Sequence, residues 1–105
     1  MKRGVLLVLV IALVWGIALA QTLYLTKENY PASASRTYLD KFVEYSVAKD
    51  YAATQKLLDS GLVILLKPGI EVYLVETKLW SGVVKIRPKG YTQEFWTLSE
   101  AIYSK

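Results

Sequence analysis

The sequence predicts an α+β domain, on three observations. Helical spacing of apolar residues fills the first half of the chain that follows an apolar leader. A short continuous apolar run and then two-residue alternation occupy the second half. Pro and Gly punctuate that second half at turn spacing.

The first twenty residues read as an address. Lys2 and Arg3 form a short basic start, no charge occurs from Gly4 to Ala20, and Ala18-Leu19-Ala20 offers small residues where an A-x-A cleavage site needs them. Residues 1–20 are therefore expected to be a signal peptide, with Gln21 opening the mature chain. An uncleaved membrane anchor is the alternative, although Gly4–Ala20 is short for a span of about 20 residues. Either way the domain is expected to be exported, to a periplasmic or extracellular location, with membrane contact only if the leader is retained.

Composition narrows the function. The chain has 105 residues, no His and no Cys, and 53% hydrophobic residues. That suits one small folded domain without thiolate, disulfide, imidazole base or His/Cys metal site. The leader carries two of the 13 basic residues and none of the nine acidic ones, so residues 21–105 carry only +2. No concentrated basic footprint for nucleic acid remains. Neither cofactor nor metal is expected, because P-loop, G-x-G-x-x-G and EF-hand patterns are all missing from the sequence.

Residues 21–35 show no sustained period and read as a lead-in, with a short extended piece at Thr22–Thr26. Ser35 is the expected N-cap of a helical segment. Leu39, Phe42, Val43, Ser46 and Val47 then fall at helical spacing and form one inward stripe. Lys49-Asp50 breaks the segment into two helices, with Asp50 capping the second and Gly61 stopping it; one helix from Arg36 to Ser60 is the other reading.

Leu62-Val63-Ile64-Leu65-Leu66 is expected as a buried strand, followed by a type II turn at Lys67-Pro68-Gly69. Ile70, Val72 and Leu74 alternate with Glu71, Tyr73 and Val75 in the next strand. Thr77–Gly82 is expected to be a loop bearing Trp80. Val84 and Ile86 alternate with Lys85 and Arg87, Pro88 ends that strand, and Tyr91–Trp96 can form another. Thr97-Leu98-Ser99-Glu100 has the form of a capping box, placing a last helical turn at Leu98 with Leu98 and Ile102 inward.

Three of these pieces resemble the bacterial SH3-like domain: Leu66-Lys67-Pro68-Gly69-Ile70-Glu71-Val72, then Trp80-Ser81-Gly82-Val83-Val84-Lys85-Ile86-Arg87, then Gly90 through Phe95-Trp96. The resemblance covers about residues 62–102. The family's usual opening strand, with its Asn-Val-Arg and Ser-Gly-Pro-Gly elements, is missing from the sequence. It implies a small β-barrel, here with an N-terminal helical segment packed on it across residues 36–105. It also implies an exported binding module near the cell wall.

The candidate ligand-binding residues are Tyr73, Trp80, Lys85, Arg87, Tyr91 and Trp96, with Lys89 added if its strand continues. Aromatic rings interleaved with Lys and Arg can stack on a sugar or peptide ring while the cations hold carboxylate or phosphate. The bland reading is that Glu71 and Glu76 pair with those cations and that Trp80 and Trp96 close the core. Catalysis is not expected. Ser81 and Lys85 are a commonplace spacing, and Glu71 with Glu76 or Glu94 lacks the cleft that a carboxylate pair works across. The expected partner is a cell-envelope polymer or peptide held on the barrel face. The alternative is a structural or inhibitory protein docking on another envelope protein by its helical face.

Overall fold

A computed structural model describes residues 22–78 and 81–105. The leader and Trp80 lie outside the described residues. The order is β1 (Leu23–Thr26), β2 (Pro31–Ser33), α1 (Arg36–Val47), α2 (Tyr51–Asp59), β3 (Ile64–Leu65), β4 (Glu71–Lys78), β5 (Val83–Pro88), β6 (Phe95–Leu98), a 3₁₀ turn (Ser99–Ala101) and β7 (Ile102–Ser104).

The fold is α+β, with two helices and one seven-stranded antiparallel sheet in the order β3-β2-β6-β5-β4-β1-β7. That order ends on β3 and β7 and does not close on itself. The helical segment is also not N-terminal. The lead-in supplies two strands, and only the first, β1, was signalled by the extended piece at Thr22–Thr26. Pro31-Ala32-Ser33 has no β-forming side chains. It is a strand because its backbone is held between β3 and β6 and all three residues are buried.

The helices break where Lys49-Asp50 indicated. Lys49 takes a left-handed conformation (φ 59°), Lys49 N–H donates to Ser46 O, and Asp50 N–H donates to Tyr45 O, so the last carbonyls of α1 are satisfied by a Schellman-type end. Asp50 then caps α2 by accepting from Ala53 N–H at 3.2 Å. At the start of α1, Ser35 holds the cap position but its side chain makes no cap bond. Ser33 Oγ does the local work, accepting from Ser35 N–H at 3.1 Å and donating to Leu62 O at 2.6 Å.

Four further expectations are corrected. In the 62–66 run only Val63 and Leu66 are buried, because just two residues pair, on the sheet's outermost strand. β4 runs to Lys78, past the start of the expected loop. β6 begins only at Phe95, so Tyr91–Glu94 is not strand. The expected capping box does not form: Thr97 Oγ1 donates across the sheet to Pro31 O at 2.7 Å, and a 3₁₀ turn follows instead of an α-turn.

One face of the sheet holds two core clusters, while Val83 of β5 and Leu39 of α1 are buried outside them. Val72, Val84 and Ile86 form one cluster, Ala32, Leu66 and Ala101 another, and Phe95 packs against both. Ile102 joins the first cluster as expected. Leu98 instead lines a shallow groove with Phe42 and Val43 of α1. α1 packs against β2 and β6, with Leu39 fully buried and Phe42 and Val43 half-buried, while Val47 at the end of the stripe is 79% exposed.

Candidate functional site

Strand alternation sorts the predicted site residues. In β5, Val84 and Ile86 go to the core, which turns Lys85 and Arg87 to the opposite face. The register then chooses their neighbours: Arg87 pairs with Tyr73 of β4, and Lys85 with Trp96 of β6. Tyr73, Arg87, Lys85 and Trp96 are thus brought onto one face, all half-buried.

The contacts are cation on aromatic ring. The Arg87 guanidinium lies 4.8 Å from the centre of the Tyr73 ring, and Lys85 Nζ lies 5.1 Å from that of Trp96. Arg36, the first residue of α1, adds a second cation 5.4 Å from the Trp96 ring centre. Sequence reading missed Arg36, because its nearness to Trp96 depends on how α1 seats on β6. It also missed Glu94 as the partner of Lys85 (3.4 Å), since that pairing crosses from β5 to the chain just before β6.

One predicted residue, Tyr91, stands apart from this face. Tyr91 is 68% exposed and lines a separate apolar cleft of about 310 Å³ with Ile70, Pro88, Gln93 and Phe95; it reaches the face only through its carbonyl, which accepts from Arg87 Nη1 at 2.9 Å. Trp80 is outside the described residues. Lys89 lies past the end of β5, in a turn where its N–H donates to Glu71 O.

The charges on this side are mostly compensated. Lys85 has Glu94, Arg36 has Asp40 at 3.5 Å, and Lys105 has Glu71 at 2.9 Å. The hydrogen bond and charge of Lys105, with the more distant Lys89, hold the Glu71 carboxyl below the usual carboxylate range against a small opposing effect of burial. The carboxylate pairing weighed as the bland reading therefore takes other partners than expected: Glu71 bonds Lys105, and Lys85 bonds Glu94, although Glu76 lies in register with Lys85. Arg87 differs. Among the described residues its partners are a neutral ring and a neutral carbonyl, with no carboxylate in ion-pair range.

Among the described residues, no three His, Cys, Asp or Glu side chains group to hold a metal ion, and no helix is long and apolar enough to cross a membrane. No family model, curated protein or solved structure matches the chain.

Proposed function

We propose that the protein is an exported, non-enzymatic binding module that holds a cell-envelope polymer or peptide on the Tyr73–Arg87–Lys85–Trp96 face of its sheet. The observation that carries this reading is Arg87: a guanidinium stacked on an aromatic ring, whose partners among the described residues are all neutral, offers its charge and several N–H donors to an incoming anion. Tyr73 supplies an apolar surface beside it for a sugar or peptide group.

The SH3-like reading draws support from a pairing that runs through both halves of the sheet. β1 and β2 follow one another along the chain, as do β6 and β7, and β1 pairs with β7 while β2 pairs with β6. Lys27 N–H donates to Ala101 O between those two ladders, so two bent segments track each other throughout. With β1 also bonded to β4 and β6 to β5, the sheet must curl strongly. Export rests on the leader pattern alone. The alternative of docking by the helical stripe loses most of its surface, because Leu39, Phe42 and Val43 are turned onto the sheet.

The test is sedimentation of the protein with isolated cell-wall polymer, together with Trp fluorescence on adding wall-derived peptides. Arg87→Ala and Tyr73→Ala should each abolish binding while far-UV circular dichroism stays that of the parent. Binding that survives both substitutions, or a parent protein that takes neither polymer nor peptide, would sink the proposal.

A further inference from the structure

The apolar cleft lined by Tyr91 has a cation at its edge. Its walls come from Ile70 just ahead of β4, Pro88 at the end of β5, Tyr91 and Gln93 in the connection that follows, and Phe95 at the start of β6. Arg87 Nη1 donates to the Tyr91 carbonyl at 2.9 Å, so the guanidinium lies against the backbone of one wall. Two of the apolar side chains there stay open to water: Ile70 is 37% exposed and Tyr91 68%.

The walls are held before any ligand arrives. Ile70 N–H donates to Thr26 Oγ1 (3.0 Å), and its carbonyl accepts from Thr26 N–H (3.1 Å). Tyr91 N–H donates to Pro88 O (3.1 Å) across a turn in which Gly90 takes φ 87°, and Lys89 N–H ties that turn to Glu71 O (2.9 Å). Gln93 Nε2 donates to Glu94 O (3.0 Å). What faces an entering group is mainly hydrocarbon and aromatic ring, which suits an apolar side chain and would leave sugar hydroxyls without partners. At about 310 Å³ the cleft is near the lower end for ligand sites, about 300–1,000 Å³, and fits a side chain or two rather than a long acyl chain.

Charge completes the picture. Arg87 and Lys89 flank Pro88 in the chain, and Lys67 opens the turn that leads to Ile70. The acidic residues next in sequence to the lining, Glu71 and Glu94, are bonded to Lys105 and Lys85. We infer that the ligand is the free C-terminus of a peptide whose last residue is apolar. The Arg87 guanidinium holds the terminal carboxylate in its fork, and the cleft takes the last side chain. Carboxylate and side chain branch from one Cα in such a residue, which matches a cation set against the backbone of the cleft's own wall. The inference rests on Arg87 as the anion site proposed above, and it narrows polymer or peptide to peptide.

Fluorescence anisotropy of labelled short peptides with the full chain is the test, beside sedimentation with isolated wall polymer. The peptides end in Leu or in Gly, each as free acid and as amide. The Leu acid should bind about tenfold tighter than the Leu amide, which lacks the charge, and about tenfold tighter than the Gly acid, which lacks the side chain. Tyr91→Ser, which keeps the carbonyl that Arg87 holds, and Ile70→Asn should each erase most of the preference for Leu, with circular dichroism confirming the fold. Val47→Ser, at an exposed apolar position on α1, should retain it. Arg87-dependent binding that is blind to the last residue and to amidation, as a glycan or an internal peptide segment would give, overturns this inference and leaves the anion site standing. A preference for Leu that survives both cleft substitutions overturns it equally. Binding indifferent to Arg87→Ala, or no binding of any peptide or polymer, overturns the anion site along with it.

Discussion

Leu39→Ala tests whether α1 is a wall of the core or an appendage on it. Leu39 is fully buried, so truncation forfeits the whole transfer energy of the removed atoms, about 2–2.5 kcal/mol. The space left between α1 and the sheet cannot fill with water, and the cavity raises the loss to about 3–4 kcal/mol. A domain of this size has about 4–13 kcal/mol in all, so the variant should unfold at markedly lower urea and melt about 12–30 °C lower. Val47→Ala is the internal control: that side chain sits on the same helix, 79% exposed, and should cost less than about 0.5 kcal/mol. Urea titrations followed at 222 nm, in the far ultraviolet where helix and sheet both report, supply both values. A loss below about 1 kcal/mol for Leu39→Ala would refute the reasoning, since the helix would then not seal the sheet.

Two other expectations are quicker to check. The ion pair of Glu71 with Lys105 lowers the folded carboxyl value, so its stabilisation is present above the unfolded value and is lost as the pH falls through the folded one. Glu71→Gln should therefore differ from the parent near neutrality in low salt and converge with it in acid; a gap independent of pH would contradict this. Lys49→Gly should raise stability by about 0.5–1 kcal/mol, because Gly holds a left-handed conformation without the Cβ clash, and a loss on thermal melting would show that Lys49 makes some compensating contact.

Much of this was readable in advance, for identifiable reasons. The alternation around Lys85 and Arg87 survived because period two is a property of the strand itself, so one buried residue, Ile86, dictates its neighbours' directions. The break at Lys49-Asp50 survived because the helix end and the next cap are both made by near neighbours in sequence, from Tyr45 to Ala53. What failed depended on distant chain. Thr97 had a plausible local partner and took a remote carbonyl instead. Pro31–Ser33 became a strand through neighbours that its own residues do not announce. The apolar run at 62–66 could not reveal its place in the strand order, and that place determines whether it is covered. Of the site, alternation grouped Lys85 and Arg87 with Tyr73, and the β5–β6 register added Trp96. Arg36 and Glu94 arrived through the seating of α1 and the approach to β6, which no local pattern encodes.

The pairing of β1 and β2 with the last strands bears on how the chain acquires its shape. Thr97 donates to the carbonyl of Pro31, 66 residues earlier, and β1 cannot gain its outer neighbour until β7 exists. Such contacts demand closure of long loops before they return any stabilisation, so this topology folds slowly and late. On the ribosome, residues 102–104 are made after every other strand, so the outer backbone groups of β1 stay unpaired until β7 arrives. A chain with that delay carries an unpaired strand edge for nearly the whole of its synthesis, the interval in which wrong pairings are open to it.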